Sequence, residues 1–169
     1  MDLEQFIKSF VLPHENVYDK HGNVISENRS NDPGGLTKYG IDQRAHPDVD
    51  IENLDEPTAI QEHIIDYHHS RSASFPDPAG FVYFDCAMNA GNKTATLCYQ
   101  RSVGITDDGV FGSQSVAHIM DLDPGTLSSK MIGYREVYYR VLSRQPRFEE
   151  DLAGWINRCN DLRAFFSLS

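Results

Sequence analysis

Over most of this chain, apolar positions recur at spacings of three and four, the period of an amphipathic helix. Leu3, Phe6, Ile7, Phe10 and Val11 form one stripe over residues 2 to 13, and Pro13 predicts that this helix stops near Leu12 or bends there. Asp55-Glu56-Pro57 opens a second helix with an acidic cap and an early proline. Ile60, Ile64 and Tyr67 or His68 give it a buried stripe that ends near Ser70. A third helix begins at Phe81, packs Phe84, Cys86, Ala87, Met88 and Ala90, and closes at Gly91. Thr94 to Val103 follows, with Ala95, Leu97, Cys98 and Tyr99. Ser113 caps a short helix containing Val116, Ala117, Ile119 and Met120. Leu127, Met131, Tyr134, Tyr138 and Val141 mark the next, and Phe148, Leu152, Trp155, Cys159, Leu162 and Phe166 the last. That final pattern lasts under three heptads, so it predicts a packed helix and not a coiled coil.

The period fails between His14 and Ile41. Val17-Tyr18 and Val24-Ile25 read as the arms of a small hairpin turned at Lys20-His21-Gly22-Asn23. Pro33 biases Asp32 away from helix, and Gly34-Gly35 permits a sharp turn. Residues 37 to 41 leave that turn in extended or looped form, and the acidic segment 42 to 56 reads as a short helix or an irregular connection. Residues 71 to 80 and 104 to 112 are rich in breakers and read as loops. The expectation is a mainly α protein, a multi-helix bundle with a small hairpin or loop lobe, in one domain spanning residues 1 to 169.

Charge narrows the partners. The formal net charge of −10 argues against broad binding to nucleic acid or to an anionic membrane surface. The acids are uneven, with eight carboxylates against the single Arg44 in residues 42 to 66. No apolar run is long enough for a spanning helix, so stable membrane insertion is not expected. The start of the chain lacks a basic leader and reads as the first helix of the mature protein. Cys86, Cys98 and Cys159 have no CxxC or zinc-ribbon spacing and read as reduced core thiols.

Within the non-periodic stretch, Glu15 and Asp32 stand out as a pair of carboxylates separated by a turn-rich excursion. Glycoside hydrolysis uses one protonated carboxyl to protonate the departing oxygen and a second group to activate water or stabilise positive charge. Thr37, whose hydroxyl donates and accepts, can position a water. Asp19 and Glu27 compete with Asp32. Each also has a plain reading: Glu15 as an exposed helix end, Asp32 as a cap on the Gly-Gly turn, Thr37 as a strand residue. Asp85 and Asn89, four apart on one helix, read either as cleft-lining groups that bind substrate or as a buried network. Tyr39, Tyr83 and Phe111 are aromatic candidates for sugar contact that also suit core packing, and Trp155 reads as core. Asp107-Asp108-Gly109 lacks full calcium-loop spacing, and His63, His68 and His69 complete no metalloenzyme pattern, so no metal or cofactor is expected.

The segment from Val11 to Ile41, VLPHENVY…NDPGGLTKYGI, resembles the N-terminal signature of the glycoside hydrolase family 108 muramidases, lysozyme-like peptidoglycan hydrolases of phages and bacteria. FDCAMNAGNKTATLCYQRSVGITDDGVFG is similar to the family's second half, so residues 81 to 125 resemble a peptidoglycan-binding helical module. YREVYYRVLSRQPRFEEDLAGWINRCNDL is similar to its closing helices. The resemblance implies a lysozyme-like α+β fold and cleavage of the β-1,4 bond between N-acetylmuramic acid and N-acetylglucosamine. By matching motif positions it implies Glu15 as proton donor, with Asp32 and Thr37 shaping the second side of the site; Tyr39, Asp85 and Asn89 stay substrate-binding candidates on residue type and spacing alone. One departure is plain: Asn16-Val17 stands where the family has Gly-Gly after the glutamate, which removes backbone freedom beside it.

The partner so implied is the peptidoglycan glycan strand, with phage lysis or tail proteins as further partners and a monomer as the expected state. Synthesis in the cytoplasm and action at the bacterial cell wall or periplasm follow. The alternatives are a non-catalytic cell-wall-binding or phage structural protein that keeps the scaffold, and a glycosidase acting on chitin or on polycationic chitosan, which would suit the acidic surface.

Overall fold

The N-terminal stripe folds as one continuous helix, α1, over residues 3–15, in a computed structural model that describes residues 1–28 and 35–168. Asp2 opens it with a reciprocal capping box, accepting from the Gln5 N–H at 2.8 Å while the Gln5 side chain accepts from the Asp2 N–H. The helix neither stops nor breaks at Pro13. Residues Ile7–Val11 form a π-helical turn in which the Leu12 N–H reaches back five residues to the Ile7 carbonyl. Pro13 then follows directly in the last α turn, Leu12–Glu15, so the helix runs on through a residue that has no N–H to donate. Phe6, Ile7, Phe10, Val11 and Leu12 are all buried.

The predicted hairpin is present: β1 (Val17–Tyr18) pairs antiparallel with β2 (Val24–Ile25), Val17 opposite Ile25. The Asp19 carboxylate fastens its turn by accepting from Asn23 and from the His21 N–H, which holds its pKa below the usual value. A second sheet has the order β3 (Glu27–Asn28), β4 (Leu36–Lys38), β5 (Ile41–Asp42), all antiparallel. The acidic stretch after it contains turns and no helix. Gln43 ties it down through its side-chain amide, which donates to the carbonyls of His46 and Val49. Ile41, Ile51, Leu54 and Ala59 form the small core of this region, with Leu36, Tyr39 and Val49 packed against it. Helix α2 (Glu56–His69) starts where the sequence places it, with Asp55 accepting from the Thr58 N–H.

Backbone packing groups the chain into two compact units, Met1–Asp66 and Tyr67–Ser169. In the second, α3 (Ala79–Ala90), α4 (Asn92–Val103), α6 (Pro124–Leu142) and α7 (Leu152–Phe165) pack together, and α5 (Ser113–Ala117) is a short connector. Helices α3 and α4 each begin two residues before the sequence expectation, and a 3₁₀ turn, Ser72–Ser74, interrupts the expected loop. Ser113 is not the cap of α5; Gly112 takes that position without a side-chain bond. Of the apolar residues around it, Ile119 is buried while Val116 and Met120 face solvent.

The largest difference lies on α6. Its buried face is Leu127, Met131, Ile132, Arg135 and Tyr139, so the expected Tyr134 and Val141 are exposed. The cause is Arg135, a charge that apolar periodicity cannot see. Its guanidinium reaches the Asp85 carboxylate at 2.6 Å, and Arg158 from α7 reaches the same carboxylate at 2.6 Å. Trp155, expected in the core, is half-buried and stacks on the buried Tyr139 with ring centres 4.8 Å apart. All three cysteines are free and buried. The Cys86 thiol is hydrogen-bonded to Cys98, which together with burial pushes its pKa up and leaves it inert.

Candidate active site

Glu15 is the last residue of α1, and it is only partly buried. The chain leaves the helix at Asn16 with φ −74° and ψ 132°, an ordinary extended conformation. A glycine is therefore not required at position 16, and the Asn-Val departure carries no strain there. Asn16 donates its side-chain amide to the Tyr18 hydroxyl at 3.2 Å.

What does require a glycine is the turn that meets Glu15 from the other side. Tyr39 and Gly40 join β4 to β5, both with positive φ, 57° and 78°. A Cβ added at Gly40 would lie 2.8 Å from Glu15 Cγ and 3.1 Å from its Cβ. The glutamate side chain thus rests directly on bare backbone, a contact any other residue at position 40 would obstruct. Tyr39 spends strain to make the turn, since left-handed backbone is unfavourable for a bulky side chain.

His63 holds that strained turn. It lies on α2, fully buried, with Nε2 2.8 Å from the Tyr39 carbonyl oxygen. A carbonyl only accepts, so Nε2 carries the proton and donates. Burial lowers the His63 pKa, opposed by the bond to Tyr39 and by the nearby charges of Glu15 and Asp66. The ring is accordingly a neutral strut, and its distance from Glu15 is short enough for the two to interact electrostatically.

The remaining candidates are placed as follows. Thr37 is the middle residue of β4, opposite Glu27 on one side and Asp42 on the other, with its hydroxyl donating weakly to the Gly35 carbonyl at 3.4 Å. Asp32 lies outside the described residues. The Tyr39 ring packs against the small core, 5.6 Å from the Lys38 ammonium, and burial raises its pKa. Asp85 does not line a cleft. Its side chain has no exposed surface, and both oxygens are taken by Arg135 and Arg158. Of its two sequence readings, the buried network is the one realised, and no face of the carboxylate is left for a sugar. Asn89 donates to the Asp85 backbone carbonyl at 2.9 Å, a local helix bond.

Sequence reasoning passed over His63 because it was weighed only as a metal ligand. Its signal was present: it falls between Ile60 and Ile64 and beside Tyr67 on the inward stripe of α2. Gly40 was visible only as one letter of a motif.

The Glycosyl hydrolase 108 family profile matches residues 11–91, which include Glu15, Thr37, Tyr39, Gly40 and His63. This segment belongs to glycosyl hydrolase family 108. No curated protein matches the chain. A solved structure of Brucella abortus SagA matches with a TM-score of 0.73 at 18% identity, covering 96% of this chain and 91% of that chain. The shared architecture is the mainly α, lysozyme-like fold implied by the family resemblance.

Proposed function

We propose that this family 108 protein is a muramidase that hydrolyses the β-1,4 bond between N-acetylmuramic acid and N-acetylglucosamine in peptidoglycan, with Glu15 as proton donor. The observation that carries the reading is the seat of Glu15: a partly exposed carboxyl at a helix end, fixed against Gly40 by a turn that a buried histidine clamps. Glu15 protonates the glycosidic oxygen as the bond to the anomeric carbon opens, and a water attacks that carbon from the opposite face. Thr37 and Asp32 are the groups assigned to that second face, Thr37 by orienting the water and Asp32 by charge. A water held between two separated groups is the arrangement of an inverting enzyme. The chemistry needs no metal or organic cofactor. Such an enzyme acts at the bacterial cell wall.

Mass spectrometry of purified peptidoglycan, incubated with the protein and with Glu15→Gln at several salt concentrations, tests both halves of the proposal. New reducing N-acetylmuramic acid ends are expected from the parent. In the variant they should fall by about 10²- to 10⁴-fold, the usual worth of a general acid. Intact glycan under every condition, with both proteins folded, would reject the muramidase reading. It would favour a binding protein, or an enzyme for another amino-sugar polymer.

A further inference from the structure

A water that attacks an anomeric carbon must give up a proton, which calls for a carboxylate beside Thr37, the residue assigned to orient that water. Strand register supplies one. Glu27 on β3 is the direct cross-strand partner of Thr37 on β4, and Thr37 is in turn opposite Asp42 on β5. Directly opposed residues put their side chains on the same face of a sheet, with Cβ atoms about 5 Å apart. The three therefore form one row. It faces away from the small core, because Ile41, next to Asp42, is buried in that core and successive strand residues alternate. All of these residues lie within Met1–Asp66, the unit that also contains Glu15.

Among the described residues, three acids lie on the strands or in the β1–β2 turn, and two of them fasten turns. Asp19 accepts from the His21 and Asn23 N–H groups and from the Asn23 side chain, which engages both its oxygens. Asp42 accepts from the N–H groups of Arg44 and Ala45, at 3.1 and 2.9 Å, and secures the turn after β5. The third is Glu27, half-buried in the row beside Thr37. Its side chain is long enough to reach a water held on the neighbouring hydroxyl. Its placement relative to Glu15 also fits. Glu15 rests on Gly40, directly before β5, and Glu27 stands two strand spacings, about 10 Å, across the sheet from β5. That spacing accommodates the roughly 6.5–9.5 Å between the carboxyls of an inverting pair.

We infer that Glu27 is the general base of the reaction. Its carboxylate takes a proton from the water as the water oxygen bonds to the anomeric carbon. The bond to the departing oxygen breaks at the same time, and that oxygen takes the proton of Glu15. One water is consumed, and transfer of a proton from Glu27 to Glu15 through solvent restores both groups. The inference rests on the muramidase reading and deepens it: Thr37 orients the water, Asp32 contributes charge and Glu27 receives the proton.

The test is azide rescue, since azide attacks carbon without having a proton to lose. Peptidoglycan is incubated with the parent, Glu27→Gln, Asp32→Asn and Glu15→Gln, in sodium azide or in equal sodium chloride, and the products are read by mass spectrometry. In chloride Glu27→Gln should lose about 10²- to 10⁴-fold in turnover. Azide should restore it, with N-acetylmuramyl azide as the new chain end. Glu15→Gln should not be rescued, because the departing oxygen still lacks its proton. Glu27→Asp keeps a carboxylate and should retain more turnover than Glu27→Gln, which separates chemistry from a folding defect. Parental turnover in Glu27→Gln, or a folded Glu27→Gln that azide does not rescue, would overturn the inference and leave the muramidase reading standing. Rescue of Asp32→Asn in its place would overturn it too, moving the role to Asp32. A parent that leaves glycan intact would reject the muramidase reading itself, and this inference with it.

Discussion

Asp85 in the second unit has no exposed surface and two arginines on its oxygens. Glu15 in the first is partly open, and it rests on a glycine. Both are carboxylates on helices. Asp85 is held by charge. Burial alone would push its pKa up, but Arg158 and Arg135 outweigh that and bring it down to about 2. It stays ionised in the fold and serves as a tie between α3, α6 and α7. Glu15 is held by shape instead, between its own helix and a left-handed turn. A carboxylate locked by two guanidiniums cannot lend a proton, whereas the Glu15 stem is set by its contact with bare backbone at Gly40. The tie of the fold and the proposed proton donor are thus different carboxylates, and the contrast can be tested from either end.

The largest expected effect is on the charge side. Asp85→Asn leaves two buried guanidiniums facing a neutral amide, and removing one partner of a buried pair costs about 3–5 kcal/mol. Chemical denaturation should show that loss. Any activity that survives at low temperature should have an unchanged KM, because the residue touches no substrate. Acid should imitate the substitution. The folded pKa lies below the ordinary value of 3.8, so the contribution is complete above that value and is lost as pH falls from about 4 toward 2. The variant should lack that part of the acid transition.

On the shape side, Gly40→Ala combines a strained backbone with a collision at Glu15 Cγ. The left-handed conformation alone costs about 1–2 kcal/mol for alanine. A small displacement of a reacting group lowers rate far more than stability, so turnover should fall by about tenfold or more at temperatures where the variant is fully folded. A folded Gly40→Ala protein with parental turnover would mean that the contact with Glu15 does not position it for reaction.

These two regions also differ in how much of each the sequence revealed. The hairpin at Val17–Ile25, the cap at Asp55 and the start of α2 follow from local turn and capping chemistry, which a few neighbouring residues determine. Glu15 and Thr37 were legible as candidates through motif and residue type. The rotation of α6 was not, because Arg135 joins a buried face only through partners 50 residues upstream, at Asp85, and on another helix. Nor was the role of His63, since its partner is a backbone carbonyl 24 residues away, and carbonyls leave no mark on a sequence. Passage of α1 through Pro13 depended on a π turn that apolar spacing does not distinguish from α. Long-range polar pairing and backbone register are what the pattern of side chains omits.

A smaller effect should come from His63. Its folded pKa is lowered by burial, so the neutral ring contributes fully above the unfolded value near 6.5. As pH falls below that value the unfolded chain takes up a proton that the folded one resists, and stability declines by at most about 1.4 kcal/mol per pH unit. Glu15 and Asp66 favour the proton and His46 opposes it, so the slope should fall short of that limit. His63→Gln keeps a donor for the Tyr39 carbonyl without a titrating ring. It should flatten the stability profile between pH 6.5 and 5 and retain more turnover than His63→Ala. Equal turnover in the two variants would show that the bond to Tyr39 does not matter to the site.

The smallest expected effect comes from Asn16, the residue after the candidate proton donor. Asn16 has backbone angles open to any residue, so Asn16→Gly, the residue the resemblance leads one to expect there, relieves no strain. Glycine makes the unfolded chain more flexible, at a cost of about 0.4–1 kcal/mol. Against this, the variant removes the Asn16 Oδ1 atom, which is buried without a hydrogen-bond partner among the described residues, and that removal is favourable. The two terms oppose, so the midpoint of unfolding should move little and turnover on peptidoglycan should stay within about twofold of the parent. A large gain in turnover would show that the side chain at 16 obstructs the glycan. The Glu15 site would then be shaped by crowding at residue 16 as well as by the bare backbone at Gly40.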